Sequence, residues 1–225
     1  CQLDKIYMHD LTKYNKILEQ RNNLLKQIGF DPRLTDTLQV WDEQLTEYGN
    51  KIIRTRKNFI RDLNELVGPM HKHLSKGKES LELCYEPNVD EDEFLSVLRD
   101  SREKELILKS TLRGPHRDDI SFLLGGEDIR KFGSQGQQRT SALSLKLSEI
   151  ELVKKSIHDT PVLLLDDVLS ELDRKRQNYL LEHIKGIQTI ITCTGLEEFV
   201  KNGINIQKTF EIEEGRRKNG ESGKD

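Results

Sequence analysis

Two carboxylates, Asp166 and Asp167, stand at the end of a run without a single polar side chain, Pro161–Leu165. Such a run predicts a strand buried on both faces, central in an α/β sheet. Ligands of these sheets sit off the carboxyl ends of the strands, where this pair of acids would lie. Adjacent acids there need a cation or a proton. One carboxylate can hold Mg²⁺ directly or through water, while its neighbour orients or deprotonates a water that attacks a phosphate, which is the logic of a Walker B strand. The same two residues also suit a plainer role, opening a turn and capping the next helix.

A second chemically loaded stretch, Gly133-Ser-Gln-Gly-Gln-Gln-Arg139, feeds a long helical pattern that places Ala142, Leu143, Leu147 and Ile150 inward. A Gly-rich polar loop at a helix start gathers backbone N–H groups at the positive end of the dipole and suits a phosphate. Ser134 offers a hydroxyl, Gly136 close backbone approach, and Gln137, Gln138 and Arg139 further donors. An ordinary N-cap uses the same residue types. The helix is expected to end near Lys155, and Thr160-Pro161 opens the acidic strand. This loop–helix–strand order is typical of parallel sheets. Ser170-Glu-Leu-Asp173 then starts a helix over Arg174–Ile184, stopped at Gly186. Ile187–Ile191 reads as a second buried strand ending in Thr192-Cys193-Thr194. Hydroxyls at that end would lie beside the acids of the first strand, sensing a γ-phosphate or water, or making plain strand-end hydrogen bonds. Arg113, His116 and Arg117, in Arg113-Gly-Pro-His-Arg-Asp-Asp119, either approach phosphate of a nucleotide or of DNA, or pair with Asp118 and Asp119 as scaffolding.

The elements that must position these groups follow from the rest of the chain. Its 225 residues allow one good core and a smaller appended unit. Charged residues make up 33% and hydrophobic ones 34%, and no apolar run approaches a membrane span, as expected of a soluble protein. Cys1, Cys84 and Cys193 lack metal or disulfide spacing, which suits a reducing cytoplasm. With a net charge of −3, any nucleic-acid contact must come from local basic patches. Tyr7, Leu11, Tyr14, Leu18, Leu25 and Ile28 alternate at steps of four and three, with Arg21 the one polar break. After a turn at Gly29-Phe-Asp-Pro32 the spacing resumes through Leu38, Trp41, Leu45, Tyr48, Ile52 and Phe59, interrupted at Thr55. The pattern predicts an antiparallel helical-hairpin arm closing near Gly68-Pro69. Lys51, Arg54, Arg56, Lys57 and Arg61 cluster on its second helix, either as a solvated face or as contacts to DNA phosphates. Ser80–Tyr85 reads as a strand and Glu91–Lys109 as a helix with Phe94, Leu95, Leu98 and Leu106–Leu108 inward. Ile120–Leu124, Gly125-Gly126 and Asp128–Phe132 read as a β-hairpin. Ile204, Ile206, Phe210 and Ile212 suggest a last strand. The expected division is an arm over 1–79, an α/β lobe over 80–212 and a disordered charged tail over 213–225.

Taken in order, the SQGQQR loop, the LLLLDD strand, the SELD turn and the strand ending TCT resemble the C-terminal half of the RecF family, bacterial recombination-repair ATPases with an SMC-like, ABC-type head. Gly114-Pro-His-Arg-Asp-Asp119 and Leu18-Glu-Gln-Arg-Asn-Asn-Leu-Leu25 extend the resemblance to nearly the whole chain. It implies a P-loop NTPase half-head with a parallel sheet. Ser134–Arg139 would be the signature loop facing the γ-phosphate of ATP on a second subunit, and Asp166 the Mg²⁺ ligand. Asp167 would stand where related heads carry a catalytic Glu, Ser170–Asp173 would form the D-loop, and Thr192–Thr194 would replace a switch histidine. The implied partners are gapped or junction DNA, a RecR-type mediator that helps load the recombinase, and a second copy in an ATP-dependent homodimer. No G-x-x-x-x-G-K-[ST] loop occurs in the sequence. The expectation is therefore a fragment with half of an ATP site, inactive alone, from a slow ATPase. The competing reading is a non-catalytic interaction module acting through the arm.

Overall fold

A computed structural model describes residues 4–77, 79–157, 159–169, 172–194 and 206–218, in two compact units, 1–161 and 162–225. The expected boundary at residue 79 falls inside the first unit.

Helix α1, Lys5–Ile28, starts where the Asp4 carboxylate accepts the N–H groups of Ile6 and Tyr7. It buries Tyr14, Leu25 and Ile28, as the spacing requires. A 3₁₀ turn over Pro32–Thr37 leads into α2, Leu38–Leu74, whose 37 residues extend about 55 Å. The helices run antiparallel: Ile28 and Leu38 share one apolar cluster, while Tyr7 meets Arg56 at the far end. Phe59 is 40% exposed, and Ile60 takes the buried position instead. The expected break at Gly68-Pro69 does not occur. Val67 and His71 are fully buried on either side of the proline, and these anchors outweigh the one backbone hydrogen bond it removes.

Arg21, the polar break in the arm, is fully buried. Its guanidinium donates to Asp42 (2.8 Å), Glu105 (2.7 Å) and the Thr111 hydroxyl (2.7 Å). That cation decides which face of α3, Phe94–Leu108, turns inward. Phe94, Leu98 and Glu105 are buried, whereas Ile107 and Leu108 of the expected inward group are exposed. Phe94 fits only because residue 49 is glycine: a Cβ there would lie 2.4 Å from its ring.

Strand β1, Leu81–Glu86, pairs antiparallel along its whole length with β2, Asp119–Leu124. Gly125 and Gly126, both at positive φ, turn the chain into β3, Glu127–Asp128. The return strand stops there, because the Asp128 carboxylate accepts from Arg130 N–H and caps α4, Ile129–Phe132. Helix α5, Gln135–Ile157, packs on α2. Ala142 is exposed, and Ser141, Ser144 and Ser148 are buried in its place. Ser144 and Ser148 donate their hydroxyls to carbonyls one turn back, which satisfies them while keeping the helix surface shallow.

In the second unit β4, Leu163–Asp166, runs parallel to β5, Thr189–Thr192, with α6, Arg174–His183, between them in sequence. Leu165, Leu169, Leu180, Leu181, Ile184 and Ile187 form its buried set. β4 is not covered on both faces as expected: Leu165 is buried, but Val162, Leu164 and Ile190 are exposed. Two paired strands leave one face of the sheet open. Ile212–Glu213 and Arg216–Arg217 form a short antiparallel pair where a disordered tail was expected. Ile204 and residues 219–225 lie outside the described residues. Among the described residues no helix is long and apolar enough to cross a membrane.

Candidate functional site

Asp166 closes β4 directly opposite Thr192 of β5. The Thr192 hydroxyl donates to Asp166 Oδ1 at 2.5 Å and accepts the backbone N–H of Asp167 at 3.1 Å. One hydroxyl therefore fixes both acids, orienting the first carboxylate and holding the backbone of the second. Asp167 adopts a left-handed conformation, φ 50, which directs the chain away from the strand end. Both carboxylates are exposed. Among the described residues no group of three His, Cys, Asp or Glu could hold a metal alone. A single carboxylate at a strand end instead suits Mg²⁺, which keeps several waters and takes its other oxygens from phosphates. Asp166 fits that role. Asp173 accepts from the N–H groups of Lys175 and Arg176 and pairs with the Arg176 side chain. These hydrogen bonds, that of Arg176 foremost, hold its carboxyl below the usual range, and they make it the cap of α6. Ser170 lies outside the described residues.

The loop before α5 closes as a reciprocal cap. Ser134 Oγ accepts from Gln137 N–H at 3.3 Å, and Gln137 Oε1 accepts from Ser134 N–H at 2.8 Å. Gln138 Nε2 donates to the carbonyls of Ile129 (2.9 Å) and Gly133 (3.4 Å), tying the loop to α4. The capping alternative and the anion reading are compatible. The cap uses a lone pair of Ser134 and leaves its hydroxyl hydrogen to donate. Ser134, Gln135, Gly136, Gln138 and Arg139 are all exposed.

Gly114–Asp119 is clamped from several sides. His116 Nδ1 accepts from the Tyr14 hydroxyl at 2.7 Å and Nε2 donates to the Thr111 carbonyl at 3.2 Å, a pairing that specifies the neutral ring. Burial, helped by the Arg117 charge, pushes the His116 pKa down. Asp118 accepts from Arg56 (2.7 Å), from the Asn88 N–H (2.9 Å) and from the Tyr85 hydroxyl. His116 is thus scaffolding rather than an outward donor. Arg113 and Arg117 are exposed at the two ends of this rigid turn, and neither forms an ion pair among the described residues. On the arm Arg54 pairs with Glu91, Lys57 with Asp90 and Glu91, and Arg61 with Asp62. These exposed pairs are weak and exchangeable, but they neutralise the stripe.

Sequence reasoning missed the roles of Tyr14, Arg56 and Tyr85 in this clamp, and that of Glu79, whose carboxylate accepts from Gln137 Nε2 at 2.8 Å. Partners 58 residues apart leave no local signal.

No family model matches the chain. The chain is 60% identical over 215 residues to the DNA replication and repair protein RecF of Lachnoclostridium phytofermentans, a match over 96% of this chain and 60% of that protein. It is 46% identical over 226 residues to the protein of the same name from Acetivibrio thermocellus, over 96% of this chain and 61% of that one. Among solved structures, the recombination mediator protein RecF-ATPrS in the RecFOR pathway superposes with a TM-score of 0.84 and 38% identity, over 96% of this chain and 59% of that one. The RecF-ATP structure gives 0.79 and 40%, over 86% of this chain and 54% of that one. The chain spans about 60% of the length of the curated relatives it matches. Near-complete coverage of this sequence, together with the fold match, shows that over the length it spans the chain belongs to the RecF family.

Proposed function

We propose that this chain supplies the arm and one half of the ATP site of a DNA-binding repair head that clamps DNA as an ATP-dependent homodimer. The carrying observation is the single Thr192 hydroxyl that fixes Asp166 and Asp167 at the end of a parallel strand pair. In this reading residues 1–79 are the arm and 80–212 the lobe. Asp166 holds Mg²⁺ and Asp167 polarises the attacking water. Ser134–Arg139 meets the γ-phosphate in trans, and Ser170–Asp173 lies at the dimer interface. Solved relatives named for ATP and for the RecFOR pathway support the cofactor and a RecR-type partner. Arg113 and Arg117, held out by a rigid turn, supply phosphate contacts to gapped DNA, with Arg54, Lys57 and Arg61 exchanging their surface partners. The setting is the cytoplasm.

Sedimentation of the full-length protein with and without ATP and Mg²⁺ tests the proposal. The wild type should dimerise only with both, and Ser134→Arg, which places a bulky cation at the loop, should stay monomeric. A wild type indifferent to nucleotide would sink the reading.

A further inference from the structure

We infer that Glu79 is a positioning residue for the Ser134–Arg139 loop, tying its conformation to the end of arm helix α2. This rests on the reading of that loop as nucleotide-facing. Gln137 is gripped at both ends of its amide: Oε1 receives Ser134 N–H and Nε2 donates to Glu79 Oε1, each at 2.8 Å. The carboxylate therefore sets which way the amide faces. An amide turned the other way would present N–H₂ to Ser134 N–H and open the reciprocal cap.

Glu79 is itself well placed to act as an anchor. Lys76 and Gly77, both at positive φ, reverse the chain just after α2, and Ser75 Oγ donates to the Glu79 carbonyl at 3.3 Å. The other carboxylate oxygen, Oε2, lies 3.6 Å from Nε2 of His71, a fully buried residue in the last turn of α2. His71 in turn meets Ser144 Oγ at 3.0 Å through Nδ1. Ser144 gives its one hydrogen to the Thr140 carbonyl, so His71 Nδ1 is the donor of that pair. Glu79 thus joins the end of α2, through the Ser75 hydroxyl, to Gln137 of the loop, while Ser144 ties α2 to the body of α5. A displacement of the arm's base reaches Gln137 through this carboxylate, and loop ordering by a phosphate is felt in return at α2.

Two variants in the full-length protein separate the roles. Glu79→Ala removes the acceptor, whereas Glu79→Gln keeps an oxygen that can receive Gln137 Nε2. Amide hydrogen exchange without nucleotide should quicken about fivefold or more at Ser134 and Gln137 in Glu79→Ala, stay unchanged in α1, and return to the wild-type rate in Glu79→Gln. The ATP concentration for half-maximal dimerisation should rise by a similar factor in Glu79→Ala with the same plateau, and be restored in Glu79→Gln. Wild-type exchange in Glu79→Ala, or equal impairment of both variants, would overturn the inference. If the wild type ignores ATP, the nucleotide reading fails, while the exchange rates still decide whether Glu79 holds the loop.

Discussion

Replacing Arg21 by Met would keep most of the aliphatic stem and remove only the guanidinium. Three charge-assisted hydrogen bonds disappear with it, to Asp42, Glu105 and Thr111, all buried. The two carboxylates are not equally stranded. Asp42 keeps Arg102 at 2.8 Å, and Glu105 keeps the Leu112 N–H at 2.7 Å. Breaking a buried pair by deleting one partner costs about 3–5 kcal/mol, and the remaining partners place this case near the lower end, at about 3 kcal/mol. At about 2–4 °C per kcal/mol for a unit of this size, the melting temperature should fall by about 6–12 °C. Urea unfolding of the 225-residue chain followed by circular dichroism measures the loss directly. Adding Glu105→Leu to the Met variant should recover part of it, because the stranded charge is gone. A loss under about 1 kcal/mol, the scale of an exposed pair, or a double variant no better than the single one, would refute the reading of Arg21 as the buried cation that orients α3.

Gly114→Ala should destabilise the same unit by about 2–4 kcal/mol, since its φ is 128 and a Cβ would lie 2.5 Å from the Tyr14 hydroxyl and 2.7 Å from the Phe94 ring; thermal melts compared with those of a Gly125→Ala variant, where the added carbon meets nothing, isolate the packing part. His116 has a depressed pKa in the fold, so below the unfolded value of about 6.5 the unfolded chain binds the extra proton. Stability should therefore fall as pH drops through that window, by at most about 1.4 kcal/mol per pH unit from this group, and His116→Asn should flatten the slope measured by urea unfolding between pH 7 and pH 5.

The sequence made the arm legible because heptad spacing reports one buried stripe, and α1 and α2 have one. It also placed the acids at a strand end with threonine beside them, since apolar runs and parallel crossovers constrain each other. What it could not convey was pairing across distance. Arg21 was visible as a break, but its partners at 42 and 105 were not, so Glu105 carried no inward signal and Ile107 passed for core. The buried serines of α5 went unmarked for a related reason: hydropathy gives Ser141, Ser144 and Ser148 no inward signal, while a close helix neighbour selects for size. Pro69 misled because its local cost is large, yet burial of Val67 and His71 exceeds it. At the loop before α5, capping and anion binding draw on the same residue types, and only the geometry showed that the cap leaves the Ser134 hydroxyl hydrogen unspent.

The open face of β4 and β5 has a consequence for how the chain behaves in a tube. Leu164 and Ile190, opposite each other on the paired strands, and Val162 just before β4 expose aliphatic surface to water. Such a surface lowers its free energy by meeting any other apolar surface. Purified by itself, the chain is therefore a colloidally unstable material, whose light scattering should rise with concentration and with sulfate salts long before the arm unfolds. A single lysine at Val162, 56% exposed and four residues before Asp166, would serve as a solubilising handle.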